Sequence, residues 1–208
     1  MPVYKKKIEN EALTGIWIIE ETESDLLRCF ENNKAVLLQI EAARNESRRC
    51  EMLAVRALLK ELTGEEKTIC YQTNGKPVLS DNSFHISISH TKGFAAVILH
   101  PSKQIGIDIE RISDQAYKLK SRFTSIKERE AIDNRDEPVV SLLHWSAKET
   151  MFKMLSQEGI DFAKHLNIHP FKLTDNHLDA TESFTSNLQS FSIQFEITDR
   201  YVLTSCIL

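Results

Sequence analysis

Two acids, Asp108 and Glu110, are the side chains of this sequence best suited to chemistry. Isoleucines at positions 105, 107 and 109 alternate with polar residues around them, which is the period-two pattern of a half-buried strand. Asp108 and Glu110 should therefore project side by side from one face. Adjacent carboxylates repel each other unless a cation lies between them, and a hard divalent ion such as Mg2+ prefers oxygen ligands of this kind. The alternative is that both acids face water at the end of the strand.

A second charged pair lies in a segment that should be helical. Apolar residues recur at helical spacing from Asp136-Glu137-Pro138 to Leu155, and proline is common in the first turn of a helix. Within this segment Glu149 and Lys153 are four residues apart and would be neighbours on one face. Such a pair usually forms a surface ion pair, but it would also place a carboxylate and an ammonium over a phosphate-bearing site.

A third group could bind an anion. The stretch Phe84–Thr91 alternates like a strand and ends with Ser89 and His90, while Lys76-Pro77 follows the turn signal Asn74-Gly75. A hydroxyl, an imidazole and an ammonium at a strand end suit a phosphate. The alternative is that the histidine has a structural role.

Three arginines, Arg48, Arg49 and Arg56, decorate a helix predicted over residues 46–62, with Gly64 closing it. The planar guanidinium group suits phosphate binding. The alternative is solvated charge on an amphipathic helix.

The remaining patterns complete an alternation of strands and helices. Ser24–Asn32 is predicted as a short helix with Ser24 as its N-cap. Strands are predicted at residues 16–19, 94–99, 171–173, 191–197 and 201–208. Each half of the chain therefore has strands, one long helix and a return into sheet. We expect an α+β fold of two similar halves, residues 1–103 and 104–208, with the acids in the second.

The bulk composition narrows the classes of function. The chain has 208 residues, is 41% hydrophobic and carries a net charge of −4, which is typical of a globular protein and argues against coating of nucleic acid. Its four cysteines show no zinc spacing. No apolar run approaches a signal core or a membrane span, so we expect a cytoplasmic protein that does not bind membranes. Residues 111–129 form a local basic stretch that would attract an acidic partner.

Three segments now stand in order: Gly75-Lys76-Pro77 with Ser87-Ile88-Ser89-His90-Thr91, then Gly106-Ile107-Asp108-Ile109-Glu110, then Trp145-Ser146-Ala147-Lys148-Glu149 with Lys153. Together they closely resemble the 4′-phosphopantetheinyl transferase superfamily in its long, single-chain form. Arg48-Arg49 and Leu53-Ala54-x-Arg56 also resemble its enterobactin-associated members. The resemblance implies a fold with pseudo-two-fold symmetry and coenzyme A held between the halves.

The resemblance also implies an activity. Members of the family move the phosphopantetheine arm of coenzyme A to a serine of an apo acyl or peptidyl carrier protein and release 3′,5′-ADP. The basic 111–129 stretch would then be the docking surface for the acidic carrier. A two-halved chain has less need to self-associate, so we expect a monomer.

Roles are carried over by position. Asp108, Glu110 and Glu149 match the acids that bind Mg2+, with Mn2+ as an alternative. Glu149 also matches the general base for the carrier serine, directly or through a bound water, and Lys153 matches the lysine that binds the pyrophosphate. The implied coenzyme A contacts are Arg48, Arg49, Arg56, Lys76, Pro77, Ser89, His90 and Lys153.

Two alternatives remain open at this stage. One is another Mg2+-dependent phosphoryl-transfer or phosphodiester-cleaving enzyme that uses the same acids. The other is a catalytically inactive protein that binds coenzyme A or a carrier protein. The intact set of Asp108, Glu110, Glu149 and Lys153 counts against the second alternative, since decay would be expected to strike there first.

Overall fold

The computed structural model describes residues 3–30, 33–133 and 138–208, which form an α+β fold. The chain divides into two compact units, Met1–Ser102 and Lys103–Leu208. Asn32, Asp136 and Glu137, at the ends of two predicted helices, lie outside the described residues. The α+β class expected from the sequence is confirmed, while the pseudo-two-fold relation of the two halves stays a prediction.

The first unit is an antiparallel sheet with helices packed on it. Its strands are β1 (Val3–Glu9), β2 (Ala12–Ile18), β3 (Ile69–Tyr71), β4 (Pro77–Leu79), β5 (His85–Thr91) and β6 (Phe94–His100). Its helices are α1 (Glu23–Leu27), α2 (Lys34–Glu41) and α3 (Glu46–Thr63). Four strands form the sheet in the order β1-β2-β6-β5, and β3 pairs with β4 in a separate hairpin.

Helix α3 contributes many residues to the core of this unit. The helix predicted from the sequence is confirmed. Asn45 caps its first turn by accepting a hydrogen bond from the Arg48 backbone N–H at 2.8 Å, and Gly64 ends it in the left-handed region at φ 80°, where glycine is favoured. Leu53, Leu58 and other apolar residues of α3 are fully buried.

The predicted start of the short helix α1 is wrong. Thr22, not Ser24, is the N-cap, because the Thr22 hydroxyl accepts from the Asp25 N–H at 3.2 Å and the Asp25 carboxylate accepts from the Thr22 N–H at 3.3 Å. This reciprocal capping box satisfies two backbone donors at once, so Ser24 lies inside the helix.

The second unit is a five-stranded antiparallel sheet with one long helix across it. Its strands are β7 (Ile105–Arg111), β8 (Leu166–Ile168), β9 (His177–Glu182), β10 (Ser190–Ile197) and β11 (Tyr201–Ile207), in the order β7-β11-β10-β9-β8. Its helices are α4 (Gln115–Leu119), α5 (Ile126–Asp133), α6 (Pro138–Leu155) and α7 (Phe162–His165). Helix α6 packs mainly on β7 and β11.

The strand predicted at residues 171–173 is wrong. This segment is irregular and leads into a 3-10 turn at Leu173–Asp175, while β8 and β9 lie on either side of it. Phe171 is nevertheless packed into the core, with its ring centroid 5.8 Å from that of Phe195. An apolar residue in so short a run reports burial rather than strand pairing.

Within residues 3–30, 33–133 and 138–208, no helix combines the length and the apolar character needed to span a membrane.

Candidate active site

Strand β7 places its two acids toward helix α6. Residues directly opposite each other in an antiparallel pair lie on the same face, and Asp108 lies opposite Thr204 and Gly106 opposite Cys206 on β11. A Cβ added at Gly106 would lie 2.7 Å from the backbone oxygen of Thr150. Helix and strand therefore approach each other where only glycine fits, and this close approach brings α6 over the acids.

The half-buried character predicted for β7 is wrong, because both of its faces are covered. The isoleucines at 105, 107 and 109 are buried, and Asp108 on the opposite face is only 4% exposed. The simple alternative that both acids face water at a strand end is also excluded. A carboxylate this deeply buried needs a charged partner or several hydrogen bonds.

Helix α6 supplies that partner. The Lys153 ammonium contacts Asp108 Oδ1 at 2.8 Å and the Ile107 carbonyl oxygen at 3.0 Å. One helical stripe, at intervals of four residues, holds Trp145, Glu149 and Lys153. The indole Nε1 of Trp145 donates to Glu110 Oε1 at 2.7 Å. The two segments singled out in the sequence thus meet through direct contacts.

The acids form one electrostatic group. Burial, reinforced by the charge of Asp108, raises the pKa of Glu110 to about 7 and that of Glu149 to about 7. Glu149 adds to the shift at Glu110, and Lys153 opposes both shifts. One ammonium therefore leaves the charge of three neighbouring carboxyls incompletely balanced.

This donor set fits a divalent cation chemically. Carboxylate oxygens are the ligands that Mg2+ and Mn2+ prefer, and the raised pKa values of Glu110 and Glu149 mark a site where added positive charge would be favourable. Among the described residues no group of three His, Cys, Asp or Glu side chains is already spaced as a metal site. In this structure the cation in contact with Asp108 is the Lys153 ammonium.

In the first unit, two of the candidate anion-binding residues, Arg48 and His90, form a second polar cluster with Glu51. Arg48 contacts the His90 ring and lies 3.3 Å from Glu51 Oε2, which is 3.1 Å from His90 Nδ1. Ser89 is buried on β5 and precedes His90 in the chain, so its side chain projects from the opposite face of the strand. The structure therefore brings Arg48 and His90 together, as an anion site requires, but with a carboxylate between them.

Lys76 and Pro77 lie at the hairpin that joins β3 to β4. Gly75 adopts a φ of 82° in the turn, and the Gln72 N–H donates to the Lys76 carbonyl oxygen at 3.0 Å. Burial lowers the pKa of Lys76. A partly desolvated ammonium of this kind gains from an anionic neighbour.

The other two candidate arginines have contacts within the first unit that hold α3. Arg49 Nε donates to Glu23 Oε1 at 2.7 Å, and Arg49 Nη1 also contacts the Ala43 carbonyl oxygen. Arg56 is only 4% exposed and donates to Gln39 Oε1 on α2, and to the Met52 carbonyl oxygen within α3 at 2.9 Å. These contacts explain both side chains without a ligand.

A match to a known protein family covers the second unit. Residues 104–206 match the 4′-phosphopantetheinyl transferase superfamily. This segment contains Asp108, Glu110, Glu149 and Lys153, which are called the acid–lysine group below. The chain belongs to the 4′-phosphopantetheinyl transferase superfamily. The predicted resemblance is thereby confirmed at the level of the family.

A curated relative agrees with this membership of the superfamily. The chain is 29% identical over 128 residues to the L-aminoadipate-semialdehyde dehydrogenase-phosphopantetheinyl transferase of Mus musculus. This match covers 50% of the present chain and 41% of that relative, so the chain spans less than half the length of the curated protein it matches.

Lys148 lies within the segment that matches the family, and the sequence did not show what its side chain contacts. It is completely buried and donates to Glu128 Oε2 at 2.9 Å and to the carbonyl oxygens of Phe123 and Phe162 at 2.8 and 3.0 Å. Glu128 also accepts from the Ile168 backbone N–H at 2.9 Å. Lys148 thus ties α6 to α5 and α7, and through Glu128 to β8, one residue from Glu149.

The burial of Glu128 changes the charge of the basic 111–129 stretch. Burial raises the pKa of the Glu128 carboxyl, but Lys148 and the backbone donors outweigh burial and bring this pKa below its ordinary value. Its charge is compensated inside the unit, whereas Arg122 and Lys127 are exposed. The surface of the stretch is therefore more positive than the sequence count suggests.

Proposed function

We propose that this protein transfers the 4′-phosphopantetheine arm of coenzyme A to a serine of an apo acyl or peptidyl carrier protein and releases 3′,5′-ADP. Membership of the superfamily supports this proposal. The observation that carries it is the direct contact of Lys153 with Asp108, beside Glu110 and Glu149.

The acids and the lysine would divide the work. Asp108, Glu110 and Glu149 would hold Mg2+ or Mn2+, which supplies neutralisation of the charge on the pyrophosphate. Lys153, anchored by Asp108 and by the Ile107 carbonyl oxygen, would donate to a pyrophosphate oxygen. Such fixed donors stabilise charge as it develops in the transition state.

Glu149 would act on the carrier serine. The serine oxygen attacks the phosphorus that bears the pantetheine arm, and the bond from this phosphorus to the bridging oxygen breaks, so that 3′,5′-ADP leaves. The serine hydroxyl proton passes to the Glu149 carboxylate. Phosphoryl transfer requires mainly this positioning and charge neutralisation.

The coenzyme A contacts and the docking surface belong to the same proposal. Arg48, Lys76, Pro77, Ser89 and His90 remain the candidate contacts for coenzyme A. The ion pair of Arg49 and the burial of Arg56 favour a role for these two in holding α3. The exposed cations of residues 111–129 would attract an acidic carrier helix.

Intact mass of an apo acyl carrier protein, after incubation with this protein, coenzyme A and Mg2+, tests the proposal. We expect a gain of one phosphopantetheine group that depends on coenzyme A and disappears when the metal is chelated. Coenzyme A binding without any gain, across several acyl and peptidyl carriers, would favour the inactive binding protein. Neither binding nor transfer would overturn the proposal.

A further inference from the structure

A buried junction of three hydroxyl groups joins helix α6 to strand β11, beside the acid–lysine group. Thr204 Oγ1 lies 2.8 Å from Ser146 Oγ, 2.7 Å from Thr150 Oγ1 and 3.0 Å from the Ser146 carbonyl oxygen. Ser146, Thr150 and Thr204 are all 0% exposed. These three side chains are called the hydroxyl junction below.

The junction uses the full capacity of the central hydroxyl. A threonine hydroxyl has one donor and two acceptor positions. If Thr204 donates to the Ser146 carbonyl oxygen and accepts from Ser146 Oγ and Thr150 Oγ1, all three are filled. A buried polar network is costly unless it is satisfied in this way, so the helix has one preferred position on the strand.

The junction lies in register with the acid group on both elements. On the sheet, Thr204 is directly opposite Asp108, and both side chains face α6. On the helix, Thr150 follows Glu149 and precedes Lys153 by three residues, less than one turn. A slide or rotation of α6 that broke the junction would also move Lys153 relative to Asp108.

We infer that Thr204 is a positioning residue for the acid–lysine group: through Ser146 and Thr150 it sets the register of α6 on the sheet, and hence the position of Glu149 and Lys153 relative to Asp108. An apolar side chain of the same shape would fill the interface equally well, but it would leave this register unspecified. As a catalytic role this inference rests on the proposed function, whereas the effect on the register does not.

The decisive variant is Thr204→Val, which keeps the shape of the side chain and removes its hydroxyl. We expect kcat for phosphopantetheine transfer to fall by at least about 10-fold, because small misplacements of catalytic groups are costly, with KM for coenzyme A nearly unchanged. Thr204→Ser, which retains the hydroxyl, should restore kcat to within about threefold of wild type.

The matched control is Ser141→Ala on the same helix. Ser141 is also 0% exposed, and its hydroxyl has no hydrogen-bond partner among the described residues. This change should leave kcat unaltered. A fall in kcat that is equal in Thr204→Val and Thr204→Ser, or equal in Ser141→Ala, would indicate general loss of packing and would overturn the inference.

A crystal structure of the Thr204→Val protein separates this inference from the proposed function. We expect the contact of Lys153 Nζ with Asp108 Oδ1, 2.8 Å in the wild type, to be broken or lengthened. An unchanged contact would overturn the inference even if the wild type is an active transferase. A broken contact, in a protein that transfers nothing to any carrier, would support the register effect while the proposed function fails.

Discussion

Helix α6 carries two lysine–carboxylate pairs that differ in almost every physical respect. Lys148 and Glu128 have side chains 0% and 3% exposed, and three acceptors surround the ammonium. Lys153 and Asp108 are 26% and 5% exposed, and two further carboxyls with raised pKa values lie beside them. The first pair is shielded from solvent and its charges compensate each other. The second pair is partly exposed to solvent, and the carboxyls around it carry more negative charge than Lys153 compensates.

This difference separates a structural pair from a functional one. A buried ion pair whose hydrogen bonds are all made holds elements together and has nothing left to offer a ligand. Carboxyls whose pKa values are raised by burial and mutual repulsion favour an added cation. Groups with such shifted pKa values cluster at functional sites. Two lysines five residues apart on one helix therefore have different roles.

The largest expected effect comes from a change in the acid–lysine group alone. Glu149→Gln should reduce phosphopantetheine transfer by about 10³-fold or more, because it removes the general base and a metal ligand. The free energy of unfolding at pH 8 should be unchanged or higher, since one repelling charge is lost. Transfer assays and urea unfolding measure the two quantities. Full activity of this variant would remove Glu149 from the mechanism.

Breaking the structural pair of Lys148 and Glu128 should instead lower the free energy of unfolding. Lys148→Met leaves the Glu128 carboxylate buried without its ammonium, which should lower the free energy of unfolding by about 3–5 kcal/mol. In urea unfolding, the double variant Lys148→Met/Glu128→Gln should recover part of this loss, because the buried charge is gone. A stability equal to that of the wild type in Lys148→Met would contradict the assigned role.

The acid–lysine group should make its own contribution to the pH dependence of stability, opposite in sign to that of carboxyls whose pKa is lowered, such as Glu128 and Glu182. The pKa values of Glu110 and Glu149 are raised from 4.5 to about 7, so the folded protein binds these protons more tightly than the unfolded chain does. In the presence of a chelator, the contribution of these two carboxyls to the free energy of unfolding should therefore fall by roughly 3–5 kcal/mol in total as pH rises from about 4.5 to about 7.

Two controls test the origin of this pH dependence. The double variant Glu110→Gln/Glu149→Gln should flatten the profile of unfolding free energy. Added Mg2+ should stabilise the wild type most above pH 7, where both carboxyls are ionised. Profiles of the same slope in the wild type and in the double variant would contradict the raised pKa values.

The smallest expected effect concerns cations of the basic 111–129 stretch, in which Arg122 is exposed and Lys120 is half-buried. Charge reversal by Lys120→Glu/Arg122→Glu should raise KM for the carrier protein about 10-fold, equivalent to about 1.4 kcal/mol, without changing KM for coenzyme A. The effect should shrink at high salt. Lys164→Glu/Lys172→Glu, two exposed cations outside the stretch, is the matched control. Equal effects on both KM values would exclude docking here.

Some features of the fold and the site were readable from local patterns. Helices α3 and α6 are long and strongly patterned, and their predicted course agrees with the structure. The contacts of Lys153 with Asp108 and of Trp145 with Glu110 join two motifs singled out in the sequence. Short elements were harder: Thr22 replaced Ser24 as the cap of α1, and residues 171–173 formed no strand, because three or four residues carry too little pattern.

By itself, the sequence determined the class of fold, the two segments of the acid–lysine group and their resemblance to a family, since each depends on residue types and spacing along one element. Only the tertiary structure decided which charges are available. It buried Glu128 against Lys148, engaged Arg49 with Glu23 and placed Thr204 opposite Asp108. Burial and partners depend on residues far apart in the chain, and these set the free energy of a charge.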